Sequence, residues 1–397
     1  MPNLSIRHYF PFCRVKIQGQ LFENKLVRII LDPDKRFHPI CHVCGSISSS
    51  IHSYRRRPIR DLNLADTKVY IHYLIRKVRC PHCKNVAVEK VDFLTPCARV
   101  TNRLARYIHD LCKLLTVAEV ARHLELDWKT VKEIDKAFLE EQYGKTNYGG
   151  LQILAVDEIA VKKGHRYMTV VLDYETGRVV WMGKDRKAET LAGFFQGMTT
   201  VQRESIRAIA MDMWDPFIKA SQENLPNAKI VFDLFHVVSG FNKVIDKIRN
   251  NEYRKARKED RRVYHGSKYL LLRNHLKGDE KKRLKDLLDL NQTLVQTMIL
   301  RDKLKELWRY KSRGWAQKAL EEWRRLARSL QEPALTKFSN MLERYQYGIL
   351  NHCDYPINTS RLEGVNNKIN IIKRKAFGYH DERYFSLKVI QAFDPKS

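Results

Sequence analysis

Three acidic residues follow apolar segments of about strand length in the middle of the chain. They are Asp157, Asp212 and Asp233. Short apolar segments bounded by turn residues predict strands. Carboxylates at neighbouring strand ends are oxygen ligands of the kind that Mg²⁺ prefers, and pairs of such ions promote reactions of phosphates. In a very basic chain, this pattern predicts divalent metal ions that act on phosphate groups.

Each of these acids competes with another residue for the same role. Glu158 follows Asp157 directly, and Asp215 lies three residues after Asp212. Asp173 and Asp233 are both placed to act as turn residues at strand ends. Asp212 is favoured over Asp233 because it follows the fourth predicted strand, which is expected to lie next to the first.

The elements that must position these acids alternate along the chain. Apolar segments at 167–173 and 178–182 are separated by a Gly-containing turn, which predicts a hairpin. With the segment before Asp157 they form a three-stranded meander. Helix-like segments at 187–198 and 214–224 separate the later strands. The predicted order is therefore β-β-β-α-β-α-β-α.

A further acid, Glu363, lies in the first turn of a predicted helix near the end of the chain. Ser360 or Thr359 can cap the start of this helix, and Gly378 can end it. Its apolar stripe consists of Leu362, Val365, Ile369, Ile372 and Ala376. Glu363 lies off that stripe. The helix dipole alone would account for a Glu there, but it would also complete a metal site with two strand carboxylates.

Two C-x-x-C pairs lie in the first quarter of the chain, Cys41 with Cys44 and Cys80 with Cys83. Each pair supplies two thiolates at a tight turn, and four thiolates complete a tetrahedral structural zinc site. The competing interpretation is that one or both pairs are buried or redox-active thiols. A histidine inside either pair could replace a ligand but is expected to point outward. The other cysteines are predicted to be structural: Cys13, Cys97, Cys112 and Cys353.

Residues 117–138 predict two helices separated by a short break. Thr116 and Glu119 form a capping box, and Asp127 can cap the second helix. This pattern is typical of a helix-turn-helix, whose second helix enters the major groove of DNA. An ordinary helical hairpin is the competing interpretation. The residues on or near the reading face are Trp128, Lys129, Thr130, Lys132 and Glu133.

Basic residues also cluster outside these helices. Arg55, Arg56 and Arg57 lie between the cysteine pairs, as a solvated loop or as a phosphate contact. Lys373 and Arg374 end the helix that begins near Glu363 and are also assigned to DNA. Residues 237–347 are helical and charged throughout. The aromatic residues among them suit core packing at least as well as base stacking: Trp308, Tyr310, Trp315 and Trp323.

The 397-residue chain carries a formal net charge of +28. No fold needs that charge, which instead points to nucleic acid as the first candidate partner and an anionic membrane surface as the second. No segment approaches about 20 uninterrupted apolar residues, so no membrane span is expected. The N-terminus lacks a signal-peptide pattern. A cytoplasmic location is therefore the default, with the eight cysteines as thiols or metal ligands.

The length predicts two or three domains. A zinc-ribbon domain is expected at 1–98 and a helix-turn-helix domain at 99–148. The sheet domain is expected to begin at 149–236, to be interrupted by an all-α insertion at 237–355, and to finish with the last helix in 356–397.

The ordered set of motifs resembles the DDE transposases of bacterial insertion sequences, in particular the ISL-three type. The segments that carry the resemblance are Ala155-Val-Asp157-Glu, Met211-Asp212-Met-Trp, Val231-Phe-Asp233-Leu-Phe-His236 and Leu362-Glu363-Gly-Val-Asn-Asn. The acid motifs alone are weak, whereas the whole ordered set is specific and covers nearly the whole chain. The resemblance implies a multidomain α/β protein, whose RNase H-like mixed sheet is interrupted by the all-α insertion.

The same resemblance implies a catalytic triad of Asp157, Asp212 and Glu363. Two Mg²⁺ or Mn²⁺ ions would be held there, both of them by Asp157 and one by each of the other acids. Asp233 and His236 match a supporting D-x-x-H element. The implied activity is binding of an insertion sequence's terminal repeats, DNA cleavage and strand transfer into target DNA, in the bacterial nucleoid. Two DNA ends must meet, so a homodimer or higher oligomer is expected.

Two other functions remain compatible with the motifs. One is a DNA-binding regulator with a zinc ribbon and an inactive RNase H-like domain, which loss of any triad acid would favour. The other is a structure-selective nuclease, which would release its cleaved product without joining it. Neither of these functions needs both an intact acid triad and two sequence-reading modules.

Overall fold

A computed structural model of the chain describes residues 9–95, 98–162, 166–273, 275–357, 360–376 and 378–395. Contacts between Cα atoms divide the chain into two compact units, Met1–Gln142 and Tyr143–Ser397. The predicted structural Cys97 and the predicted cap Thr359 lie outside the described residues, as does the side chain of Ser360. Within the described ranges, no helix is long and apolar enough to cross a membrane.

The first unit begins with a five-stranded sheet. Its strands are β1 (Val15–Glu23), β2 (Leu26–Pro33), β3 (Ile51–Leu64), β4 (Thr67–Arg79) and β5 (Val86–Val88). The order is β1-β2-β4-β3, with β5 paired to the end of β4. Alternate residues of the two central strands, such as Ile29 of β2 and Ile71 of β4, are fully buried.

The basic run at residues 55–57 lies in the edge strand β3, so the interpretation as a solvated loop is wrong. The run pairs with β4, with Arg56 opposite Leu74. The strand forms despite the charge of residues 55–57, because it pairs with β4 along its length and continues into the fully buried Ile59. The Arg56 guanidinium is 2.5 Å from the Asp32 carboxylate and donates a hydrogen bond to the His72 carbonyl at 2.9 Å. Part of this positive charge therefore serves the sheet itself.

Three helices complete the first unit: α1 (Asn102–Leu114), α2 (Val117–Leu124) and α3 (Trp128–Tyr143). The predicted capping box of Thr116 and Glu119 is present, and Asp127 accepts two backbone amides at the start of α3. Between them, Glu125 adopts a left-handed φ of +52°, which allows the tight turn. Val131 is fully buried in a core shared with α1 and α2. These contacts form the compact three-helix arrangement of a helix-turn-helix.

The second unit is built on another five-stranded sheet. Its strands are β6 (Ile153–Lys162), β7 (Arg166–Asp173), β8 (Val179–Lys184), β9 (Ala208–Met211) and β10 (Lys229–Phe232). The helices between them are α4 (Ala188–Gln196), α5 (Thr200–Glu204) and α6 (Asp215–Asn224). The order is β10-β9-β6-β7-β8, parallel across β10, β9 and β6 and antiparallel across β6, β7 and β8. The predicted succession of strands and helices is confirmed, apart from the additional short helix α5.

The predicted helical insertion is also confirmed. Its helices are α7 (Leu234–Lys255), α8 (Arg261–Tyr264), α9 (Lys268–Leu272), α10 (Gly278–Leu290), α11 (Gln292–Glu306), α12 (Arg313–Ser329), α13 (Pro333–Arg344) and α14 (Gln346–Leu350). The chain returns through α15 (Ser360–Lys375) and α16 (Glu382–Ala392). Helix α15 matches the predicted helix, and Gly378 at φ +100° follows its end. Helix α16 was not predicted from the sequence.

The two faces of this sheet have separate cores. On one face, Leu154 and Val156 of β6 join a large core with the insertion helices, which includes Trp323 at 3% exposure. On the other, Ala155 and Ile159 of β6 pack with α15 and α16. Because side chains alternate along a strand, Asp157 belongs to the face that α15 covers. Of the insertion aromatics, Trp323 is a core residue, as the spacing had suggested.

Candidate active site

The parallel register brings the predicted strand acids to one edge of the sheet. Ala155 of β6 pairs with Ala210 of β9, and Asp157 and Asp212 lie two residues beyond them on the same face. Asp233 directly follows Phe232, the β10 residue that pairs with Met211. Asp212 and Asp233 follow the ends of β9 and β10, whereas Asp157 lies within β6, just beyond its last pair with β9. The three carboxylates therefore meet where the parallel pairing of the three strands stops.

Asp157 is held by polar contacts from two directions. Its Oδ1 accepts the backbone amide of Glu158 at 2.7 Å, and its Oδ2 accepts the side-chain amide of Asn366 at 2.5 Å. Burial raises the pKa of Asp157, and the nearby Asp212 carboxylate adds to the rise, while the Asn366 hydrogen bond opposes it. The ionised form of Asp157 is thus disfavoured by its surroundings, and a nearby positive charge would stabilise it.

His236 links the other two acids. Its Nδ1 lies 2.7 Å from Asp212 Oδ2, and its Nε2 lies 3.9 Å from Asp233 Oδ2. Burial alone would lower the pKa of His236, but the hydrogen bond to Asp212 and the charges of the surrounding acids raise it. Asp233 also caps α7 by accepting the Phe235 amide, and burial raises its pKa to about 6. A protonated His236 would compensate these acids rather than bind a metal.

The competing acids are occupied by other contacts. Glu158 pairs with Arg186 at 3.0 Å. Asp173 accepts hydrogen bonds within its own turn from the Glu175 amide and the Thr176 hydroxyl. Asp215 accepts hydrogen bonds from Arg344 and Tyr345. These pairings favour Asp157 and Asp212 as the acids that remain for metal ions.

The donor set fits a divalent cation. Carboxylate oxygens of Asp157 and Asp212 lie within 4.8 Å of each other and of a ring nitrogen of His236, which balances their charge, in a cleft of about 290 Å³. Carboxylate oxygens are the ligands that Mg²⁺ and Mn²⁺ prefer. A cation would also stabilise the ionised form of Asp157, whose pKa is raised by burial and by the nearby Asp212 carboxylate.

Glu363 is distant in sequence from this cluster and is not a member of it among the described residues. It is an exposed residue in the first turn of α15. One helical turn later on the same helix, Asn366 makes the hydrogen bond to Asp157. Positions three residues apart share a helix face, so Glu363 and Asn366 lie on the same side of α15. Its role as the third metal ligand stays a prediction.

Asn366 is a site residue whose contact sequence reasoning missed. It lies off the apolar stripe of α15, where an Asn is usually just solvated, so the sequence predicts no contact for it. The one available signal was its position three residues after Glu363 in the Glu-Gly-x-Asn-Asn motif.

We expect Asn366→Ala to lower the DNA cleavage rate about 10- to 100-fold. Removing a residue that hydrogen-bonds to a metal-binding side chain typically reduces activity on that scale. DNA affinity should not change. The matched control is Asn367→Ala on the same helix, where the residue is exposed. Equal rates for both variants would mean that the Asn366 contact does not position Asp157.

The four predicted zinc ligands converge in the first unit. Sγ atoms of Cys41 and Cys83 are 3.8 Å apart, and those of Cys44 and Cys80 are 3.5 Å apart. With Zn–S bonds of about 2.3 Å, a tetrahedral site has sulfur separations of about 3.8 Å. Hydrogen bonds involving Ser46 lower the pKa of the Cys44 thiol to about 6, which favours the thiolate. The geometry therefore fits a four-thiolate zinc site.

Both cysteine pairs have the same backbone form. The amide of Gly45 donates to the Cys41 carbonyl at 2.9 Å, and the amide of Lys84 donates to the Cys80 carbonyl at 3.0 Å. Gly45 and Lys84 both have left-handed φ values, +75° and +61°. His42 points away from the thiols and contacts the Val88 carbonyl. The repeated turn aims all four thiols at one point.

The residues assigned to DNA are distributed as follows. On α3, Trp128 is 53% exposed, Lys129 is exposed, and Thr130 and Lys132 are half-buried. On β3, Arg55 and Arg56 are exposed and Arg57 is half-buried. On α15, Arg374 is exposed, whereas Lys373 donates a hydrogen bond to the Ala160 carbonyl at 2.7 Å.

The cluster of acids on neighbouring parallel strands, the four converging cysteines and the helix-turn-helix are together typical of a DNA-binding enzyme that acts on phosphodiester bonds. The chain belongs to the ISL3 family of transposases. Residues 154–389, more than half of the chain, match the family model of its DDE transposase domain. Residues 89–139 match the helix-turn-helix domain of transposase family ISL3, and residues 38–83 match the zinc finger of the transposases of IS204, IS1001, IS1096 and IS1165.

Individual relatives agree with the family models. The chain is 39% identical over 359 residues to the transposase for insertion sequence element IS1001 of Bordetella parapertussis, covering 89% of this chain and 88% of the relative. It is 24% identical over 371 residues to the transposase for insertion sequence element IS1557 of Mycobacterium tuberculosis, covering 85% and 82%. The resemblance drawn from the sequence is confirmed. The chain is a DNA-binding DDE transposase, of a family whose general activity is DNA cleavage and strand transfer.

Proposed function

We propose that this transposase binds the terminal repeats of its own insertion sequence, cuts the DNA there and joins the ends to target DNA in the bacterial nucleoid. The observation that carries the proposal is the meeting of Asp157 in β6 and Asp212 at the end of the adjacent parallel strand β9, with ligand atoms within 4.8 Å. An inactive domain would have no need to keep buried acids together, since burial raises the pKa of Asp157.

Each acid is assigned a role. Asp157, Asp212 and Glu363 would hold two Mg²⁺ or Mn²⁺ ions, which when bound supply charge stabilisation for in-line displacement at phosphorus. Asn366 holds Asp157 in place through its amide. His236 and Asp233 form a supporting pair, in which His236 orients Asp212 and Asp233 fixes the start of α7.

The first unit would read the DNA. We assign a structural Zn²⁺ to Cys41, Cys44, Cys80 and Cys83, supported by their sulfur separations. The finer division at residues 98/99, between ribbon and helix-turn-helix, is also part of the proposal. Because two DNA ends must be joined to one target, the working form would be a homodimer or a higher oligomer.

The test of the catalytic half is Glu363→Gln. Loss of one ligand oxygen should lower Mg²⁺-dependent strand transfer about 100-fold or more, while binding of end DNA stays the same. The measurement is joining of a labelled duplex, carrying an end of the element, to plasmid DNA. The matched control is Glu382→Gln, at the start of α16. Undiminished joining by Glu363→Gln would remove this residue from the metal site.

The test of the DNA-reading half is Lys129→Ala. If Lys129 contacts a phosphate, its loss should weaken DNA binding for all sequences and reduce the salt slope of log affinity by about 1. The control is Lys113→Ala at the end of α1, where the lysine pairs with Asp110. A slope identical to that of the unmodified protein would place the start of α3 outside the interface.

A further inference from the structure

A second depression adjoins the acid cleft in the same unit. It has a volume of about 870 Å³, against about 290 Å³ for the cleft. We call it the Trp214 groove, since Trp214 and Arg186 line both the groove and the cleft. Trp214 is only two residues after Asp212. Anything bound to the acids therefore has this groove beside it.

Trp214 is held in a fixed position without being buried. Its indole Nε1–H donates to the Arg186 carbonyl at 3.1 Å, and the Arg186 guanidinium lies 4.7 Å from the ring centroid. The residue nevertheless remains 38% exposed, whereas the core residue Trp323 is 3% exposed. A rigid, partly open indole at the edge of an active-site cleft offers a prepared stacking surface.

Arg186, which contacts the Trp214 ring, is itself held by three neighbouring side chains. Its guanidinium lies 4.5 Å from the Tyr167 ring on one side and 4.7 Å from Trp214 on another, and it pairs with Glu158 at 3.0 Å. These contacts leave the Arg186 side chain 38% exposed. It is thus a positioning residue that fixes the indole at the border between cleft and groove.

The charges of the groove fit a nucleobase better than a phosphate. Lys187, Lys219 and Arg344 contribute positive charge, but Asp185 and Glu189 contribute negative charge to the same walls. Arg344 is moreover paired with Asp215. A phosphate would be repelled by the acids, whereas a base presents both hydrogen-bond donors and acceptors on its edges.

We propose that the Trp214 groove holds one unpaired base of the DNA strand, next to the scissile phosphate, stacked on the Trp214 indole. The proposal rests on the proposed function, since it takes the acid cleft to be the site of cleavage. Enzymes that must reach an atom inside a duplex commonly take a nucleotide out of the stack, which requires a compensating partner. Stacking on an aromatic side chain is such a partner and tolerates any base.

The experiment combines changes in the protein with changes in the DNA. The full chain is given duplexes that carry an end of the element, either intact or with an abasic site at one of three positions on each side of the cleaved bond. Cleavage with Mn²⁺ and binding are measured for the unmodified protein, Trp214→Ala and Trp214→Phe. Trp315→Ala is the matched control, because Trp315 is 63% exposed and lies on α12 of the same unit.

At one position, the abasic site and Trp214→Ala should each weaken binding on the order of 10- to 100-fold. Their combination should be no worse than either alone, because both remove the same contact. Trp214→Phe should retain part of the binding that Trp214→Ala loses, because phenylalanine can still stack on a base. Trp315→Ala should bind and cleave as the unmodified protein does. The proposal would be overturned if, at every position, the loss of binding from the abasic site multiplied with the loss from Trp214→Ala, since the two changes would then remove different contacts.

A measurement on the unmodified protein keeps the test decisive if Trp214→Ala does not fold. Thymines are placed in turn at the same positions, and permanganate reactivity is compared with and without protein. One thymine should become reactive on binding, and uniform protection would overturn the proposal. If the unmodified protein does not cleave intact ends at all, the proposed function fails and this inference falls with it. If intact ends are cleaved but the losses from the abasic site and from Trp214→Ala multiply, only this inference fails and the proposed function stands.

Discussion

Asp157→Asn is expected to abolish DNA cleavage and strand transfer, with a loss of about 10³-fold or more. The carboxylate is the acid assigned to both metal ions, and metal ions contribute several kcal/mol of charge stabilisation to such reactions. The amide has almost the same shape, so DNA affinity should not change. The measurement is single-turnover cleavage of end DNA with Mg²⁺ and with Mn²⁺.

Thermal unfolding separates this loss from misfolding. Burial raises the pKa of Asp157 in the folded chain, so its contribution to stability is present at low pH and is lost as pH rises through the folded-state pKa. At pH 7 without divalent ions, Asp157→Asn should therefore be at least as stable as the unmodified protein. Mn²⁺ should raise the Tm of the unmodified protein and leave that of the variant nearly unchanged.

The matched control is Glu223→Gln, an exposed acid on α6 in the same unit. It should cleave DNA normally and keep the Mn²⁺-induced rise in Tm. Asp157→Asn with cleavage within tenfold of the unmodified protein would show that the metal ions are held elsewhere.

The second large effect is expected from Cys80→Ser. Cys80 is 1% exposed and directly follows β4, and its Sγ lies 3.5 Å from that of Cys44. Structural zinc contributes folding free energy directly, and loss of one thiolate removes most of it. We expect the variant to lose bound zinc and to bind end DNA at least about 100-fold more weakly.

Metal analysis and limited proteolysis check this prediction. The unmodified protein should contain one zinc per chain, and the variant none, with new cleavage sites between residues 38 and 90. Cys13→Ser is the matched control, since Cys13 is an exposed cysteine of the same unit. Retention of zinc by Cys80→Ser would mean that the four thiols are not the ligand set.

Much of the fold was predictable because its signals are local. Alternation of apolar residues marks β4, helical spacing marks α2 and α15, and a capping box marks the start of α2 at Thr116. Two C-x-x-C pairs need only their own turns to aim the thiols. Elements without such a signal were missed, as for α16, which has buried residues on several sides and no clear stripe.

The strand β3 shows where local reasoning fails. Charge at residues 55–57 suggested a solvated loop, but pairing with β4 and the buried Ile59 that follows make it an edge strand. The pairing partner lies outside any local window, so composition alone could not reveal it.

By itself, the sequence determined the family, the order of elements, the cysteine cluster and the candidate acids of the strands, because each depends on motifs or on periodic patterns within a short segment. Only the tertiary structure decided which acids remain available. It pairs Glu158 with Arg186 and Asp215 with Arg344, and it brings Asn366 to Asp157 across 209 residues of sequence. Contacts between such distant segments depend on how α15 packs on β6, and no local pattern in the chain encodes that packing.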